Sequence, residues 1–132
     1  MRILVDTNVL FSSFLFPGST PDKALSLVID KHSLVIADQT IEELHEILER
    51  KAPSHMRSLL RFIELVPFEL IHWKGDAEIM IRDLTDAPIL GAAVEHDVDL
   101  ILTGDKDFLA LNLRKPRCIN SKSFLAEYGE DI

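Results

Sequence analysis

Ile3-Leu4-Val5 is a short, unbroken apolar run, the pattern of a strand buried on both faces of a parallel sheet. It stops abruptly at Asp6-Thr7-Asn8, three polar residues at the carboxyl end of that strand. Open α/β sheets bind ligands along this edge. The design recurs late in the chain, where Asp99-Leu100-Ile101-Leu102 leads into Thr103-Gly104-Asp105-Lys106-Asp107. Two buried strands are therefore expected to deliver carboxylates to one crevice.

The residues between these strands alternate helix and strand patterns. Val9, Leu10, Phe11, Phe14 and Leu15 recur at helical spacing until Pro17-Gly18. Thr20-Pro21-Asp22 reads as an N-cap, a first-turn proline and an acid favoured by the helix dipole, opening a helix that stops near Lys31-His32. Leu34 to Ala37 is a second buried strand, and a helix from about Thr40 to Lys51 follows. Pro53 opens another helix, with Met56, Leu59, Leu60 and Ile63 on one face, and Phe68 to Ile71 is a third strand. The stretch from Asp76 to Asp83 reads either as a short helix or as loop, and a helix is expected from Asp86 to about His96. After the Asp99–Leu102 strand come a short helix with Phe108 and Leu109, an edge strand at Arg117-Cys118-Ile119, and a last helix capped by Ser121. This order predicts one domain over residues 1–132, a three-layer α/β/α sandwich around a mainly parallel sheet.

The 132 residues are 47% apolar and 27% charged, a globular composition, and the net charge of −8 argues against holding nucleic acid by charge alone. A single cysteine, Cys118, rules out an internal disulfide and fits a reducing cytoplasm, where it reads as a buried small hydrophobe. No apolar run approaches the roughly 20 residues of a membrane span, and Asp6 interrupts the start too early for a signal peptide. The expectation is a cytoplasmic protein with no membrane partner.

Each acidic candidate has two readings. Asp6, ending a buried strand, either caps the next helix or meets a partner or cation; Thr7 and Asn8 could cap or position a ligand. On the helix after the second strand, Ile41, Leu44 and Leu48 define the buried side. Glu43 projects about 40° from Ile47, whereas Glu42 and Glu46 point nearly opposite the core. Thr40-Ile41-Glu42-Glu43 also matches a capping box, and spacing leaves both roles for Glu43 open. Asp86 shares a stripe with Ile89, Leu90 and Ala93, but a lone acid there also suits a cap. Asp83, one turn earlier, is a supporting acid or a solvated one. Thr103 offers a hydroxyl, while Asp105 and Asp107 supply oxygens two residues apart, one of them expected to cap the short helix.

The set says more than its members. Carboxylates gathered at one edge repel unless a cation joins them. Hard oxygen ligands without paired Cys or His select Mg²⁺ or Mn²⁺ over Zn²⁺. The histidines, at 32, 45, 55, 72 and 96, lack metal-ligand spacing. A metal-dependent phosphatase or phospho-acceptor domain also clusters Asp at a sheet edge. An aspartyl-nucleophile phosphatase, however, wants a second Asp two residues after the first, where this chain has Asn8.

Asp6-Thr7-Asn8-Val9-Leu10, Glu43-Leu44, Asp86-Ala87-Pro88-Ile89 and Thr103-Gly104-Asp105-Lys106-Asp107 together resemble the PIN-domain nuclease family, as does the close from Ile119 to Leu125. The resemblance implies a Mg²⁺- or Mn²⁺-dependent endoribonuclease. Asp6, Glu43, Asp86 and Asp105 would be its catalytic, metal-binding quartet, supported by Asn8, Thr103 and Asp107. Many small bacterial and archaeal members are toxins of toxin–antitoxin pairs and often dimeric. The implied partners are thus RNA, an antitoxin protein and a second copy of the chain. The alternative is a catalytically silent scaffold that binds RNA or protein. Basic residues for an RNA path are scattered: Arg50-Lys51, Arg57, Arg61, Lys106 and Arg114-Lys115-Arg117. Trp73 reads as a partly buried anchor or a base-stacking ring.

Overall fold

Each of the three central strands alternates its apolar side chains between two packed layers, and this alternation builds the molecule. The computed structural model describes residues 1–75 and 87–129. In chain order the elements are β1 (Arg2–Val5), α1 (Thr7–Leu15), α2 (Thr20–Lys31), β2 (Ser33–Ala37), α3 (Asp38–Lys51), a 3-10 turn (Pro53–His55), α4 (Met56–Leu65) and β3 (Glu69–Ile71). After them come α5 (Ala87–Glu95), β4 (Leu100–Leu102), α6 (Lys106–Leu109), β5 (Arg117–Ile119) and α7 (Ser121–Tyr128). Sheet order is β3-β2-β1-β4-β5, and all four pairings are parallel. The expected α/β/α sandwich is present, with a sheet more uniformly parallel than the sequence required.

Period-two alternation divides the strand residues between two cores. Ile3, Val5, Leu34, Ile36, Leu100 and Leu102 face the layer of α1, α2, α3, α4 and α7. Leu4, Val35, Ala37 and Ile101 face α5 and α6, where Ile89, Leu90, Ala93 and Phe108 complete the packing. Parallel strands need crossovers. Those from β1 to β2 and on to β3 cover one face, and α5, which precedes β4, covers the other. The chain reverses its direction of growth beside β1, so the β1/β4 boundary is a topological switch point.

Several helix ends differ from the sequence expectations. Ser19, not Thr20, caps α2 by accepting the Asp22 amide, with Pro21 inside the first turn. Asn120, not Ser121, caps α7 through the Ser123 amide at 2.8 Å. In both cases the capping oxygen must stand three residues before the amide it takes, one position earlier than composition suggested. Helix α3 begins at Asp38 directly after β2, so Thr40 is buried within its first turn and the capping box does not form. On α4 the buried residues are Leu59 and Phe62, whereas Leu60 and Ile63 are exposed. The Asp76 to Asp83 stretch and Asp86 lie outside the described residues.

Trp73 is half-buried against the α5 layer, and Gly91 makes this packing possible: a Cβ there would collide with the indole ring. No helix among the described residues is long and apolar enough to cross a membrane.

Candidate active site

Asp6 is the first residue after β1, and its amide donates to the Leu102 carbonyl of β4 at 3.1 Å. Its carboxylate therefore sits at the switch point, only 5% exposed. One oxygen accepts the Val9 amide at 3.0 Å and caps α1; the other accepts the Thr103 hydroxyl. Capping and partnering, alternatives in the sequence, coexist because a carboxylate has two oxygens. Burial is the main force pushing this carboxyl above its ordinary pKa, with the Asp105 charge adding to the rise. The Thr103 and Val9 hydrogen bonds pull it back.

Thr103, fully buried at the end of β4, joins the two halves of the site. Its hydroxyl oxygen also accepts the Asp105 amide at 3.0 Å. Asp105 in turn caps α6, one oxygen taking the Asp107 amide at 2.7 Å and the Phe108 amide at 3.4 Å. Of the two acids offered for the cap of the short helix, Asp105 takes the role, and Asp107 contributes its backbone to that turn.

Glu43 reaches the same place from α3. Its two oxygens accept the Thr7 hydroxyl at 2.8 Å and the Gln39 side-chain amide at 3.3 Å. The sequence allows Thr7 two roles, and in the structure its hydroxyl ties α1 to Glu43. Asp6, Asn8, Glu43 and Asp105 line one cleft of about 220 Å³, together with Thr7, Glu46, Ile47, Arg50, Ile89 and Phe108. Of the remaining expected site residues, Thr103 and Asp107 are not part of the lining but bond to residues that are, and Asp86 falls outside the described residues.

Sequence reasoning missed part of this lining. Glu46 was expected to point away from the core; it does face solvent, yet it lines the cleft mouth. Arg50 was one of several scattered cations and is the only one lining the cleft among the described residues. Other cations are engaged elsewhere: Lys115 pairs with Asp97 and Asp99, and Arg117 with Glu127. The missed signal is the seven-residue step from Glu43 to Arg50, which returns to nearly the same helix face after two turns.

Among the described residues, no three His, Cys, Asp or Glu side chains gather closely enough to hold a metal ion by themselves. The cleft nevertheless has an oxygen-only set of side-chain ligands, with no Cys or His in its described lining. That chemistry fits a hard divalent cation. Cys118 is half-buried on β5, and burial, with the charge of Asp6, pushes its thiol up to about 11, an inert thiol at neutral pH.

Comparison with known proteins agrees with this architecture. A chain in the crystal structure of VapBC2 from Rickettsia felis, bound to a DNA fragment from their promoter, superposes with a TM-score of 0.67. The match covers 91% of this chain and 98% of that one at 14% identity, a likeness of fold. No curated protein matches the sequence. The PIN domain family matches residues 2–107, from the first strand through both Asp6 and Asp105. The chain belongs to the PIN-domain family.

Proposed function

We propose that this chain is a metal-dependent endoribonuclease that hydrolyses RNA phosphodiester bonds, in the manner of a toxin restrained by an antitoxin in the cytoplasm. The observation that supports this most is the delivery of Asp6, Glu43 and Asp105 by three separate elements to one cleft. These three, with Asp86, are the proposed metal ligands. Mg²⁺ or Mn²⁺ held there would supply an acidified water and neutralise charge developing on the phosphodiester.

The chain's own contribution is positioning. Thr103 donates to Asp6 and accepts from the Asp105 amide, so one buried hydroxyl sets the spacing of two carboxylates. Thr7 holds one oxygen of Glu43 and Gln39 the other, which orients that carboxylate across the cleft. Asp107 anchors Asp105 through its amide. Asn8, exposed at the rim, offers an amide to the incoming chain. The toxin assignment draws on the fold shared with VapBC2. Leu60 at 55% and Leu65 at 75% exposure on α4 supply an apolar surface for a second copy or the antitoxin.

A single-stranded RNA pool incubated with Mn²⁺, with Mg²⁺ and with chelator tests the activity. Cleavage by the wild type with either metal, absent with chelator and in Asp6→Asn, is the expected result. A folded wild type that leaves RNA intact under every condition would overturn it. The second reading is a silent scaffold, for which the exposed Leu60 and Leu65 on α4 would serve as a partner surface. It predicts RNA or protein binding that does not depend on metal.

A further inference from the structure

The cleft has a second chemical end. Along α3, Glu43, Glu46, Ile47 and Arg50 line it in sequence, and Arg50 lies seven residues, about 10 Å of helix, beyond Glu43. Asp6 and Asp105 enter the lining from the sheet edge, and Glu46 stands about one turn before Arg50 on α3. Ile47 and Phe108 add apolar lining, and Arg50 adds the guanidinium. Arg50 is exposed, and among the described residues it has no ion-pair partner, unlike Arg2, Lys115 and Arg117. No local structural duty is visible for it: it sits in the last turn of α3, where a cation is favourable by the helix dipole, but Lys51 supplies that too.

We propose that Arg50 is the positioning residue that receives an RNA phosphate flanking the scissile one, and so sets the register of the strand in the cleft. The inference rests on the ribonuclease reading above. A guanidinium suits the role because its planar fork takes two phosphate oxygens at once and stays charged at every physiological pH. Its distance from Glu43 separates it from the reacting phosphate, which belongs at the acidic end. An acidic cleft also repels a polyanion, so one fixed cation at the far end gives binding a direction: the strand is held by Arg50 and threaded towards the carboxylates. Ile47, between Glu43 and Arg50 on α3, offers an apolar surface for a base between the two contacts.

Steady-state cleavage of a short single-stranded RNA with Mn²⁺, at several salt concentrations, separates this role from others. Arg50→Ala is expected to raise KM about tenfold with kcat changed less than about threefold, and to reduce the salt slope of kcat/KM by about one. Arg50→Lys should keep the salt slope while recovering only part of the KM, since a point charge replaces a fork. Mn²⁺-induced thermal stabilisation should be the same in all three proteins, because among the described residues Arg50 makes no ion pair with Asp6, Glu43 or Asp105. If the wild type cleaves RNA and Arg50→Ala retains its KM and salt slope, the positioning role is wrong while the nuclease stands. A loss confined to kcat would also overturn it. If the folded wild type does not cleave RNA, the nuclease reading and this inference fall together.

Discussion

At the amino end of the sheet, Asp99 accepts the Arg2 amide at 2.8 Å and pairs with Lys115 at 3.3 Å, which also reaches Asp97 at 3.2 Å. Arg2 holds Glu69 through two bonds of 2.7 and 3.0 Å, and Arg117 likewise grips Glu127. At the carboxyl end, Asp6, Glu43 and Asp105 have only neutral donors among the described residues: hydroxyls, an amide side chain and backbone N–H groups. The same sheet thus ends in acids matched by Arg and Lys on one side and, in the cleft on the other, in three acids held by neutral groups among the described residues. Acids matched by Arg and Lys are structural. Acids held in place by neutral donors keep their charge available for something that arrives, and they cost stability until it does.

The two ends should respond oppositely to pH in metal-free protein. The Asp99 carboxyl lies below its ordinary pKa, chiefly through the Arg2 amide and then through Lys115. Its contribution is present above the unfolded value and lost as pH falls through the folded one. Asp6 is raised. Its ionisation therefore weakens the fold as pH rises from the unfolded value through the folded one, after which the cost is constant.

The sharpest break between the two ends is in activity. Asp6→Asn and Asp105→Asn are expected to reduce RNA cleavage to background, whereas Asp99→Asn should leave kcat and KM unchanged; comparable losses at both ends would erase the distinction. Next in size, Thr103→Val keeps the shape but removes the hydroxyl that spaces Asp6 from Asp105. A loss of about 10- to 100-fold in activity is expected, with circular dichroism unchanged. Near-normal cleavage would show that the two carboxylates position themselves. In stability at neutral pH without metal, Asp6→Asn should gain about 1 kcal/mol, because Asn still caps α1 and no buried charge remains. Denaturant titration reads this directly, and the gain should shrink as pH is lowered. The smallest effect is that of Asp99→Asn, a fall of about one degree in melting temperature at pH 7 that disappears in acid, since partly exposed ion pairs contribute little.

The sequence made the scaffold readable because its signals are local. Ile3 to Val5 and Leu100 to Leu102 have no polar interruption, so their burial and the placing of Asp6 and Asp105 just beyond them followed directly. Glu43's inward side came from helical periodicity alone. What stayed hidden depends on contacts far apart in the chain. The Thr103–Asp6 bond spans 97 residues and the Thr7–Glu43 bond 36, and neither has a spacing signature. Treating Asp6 as either cap or partner also posed a false choice, since each role takes a different oxygen. Arg50 could not be singled out from Arg57 or Arg61 until the fold brought α3 together with Ile89 and Phe108 around one cleft.

The most direct test of this account is the melting temperature of the wild type and Asp6→Asn, each with and without millimolar Mn²⁺. The account predicts a crossing. Without metal the variant melts higher than the wild type; with Mn²⁺ the wild type rises, as ligand binding to the folded state requires, and the variant does not. A variant that melts lower without metal and gains as much from Mn²⁺ as the wild type would contradict it.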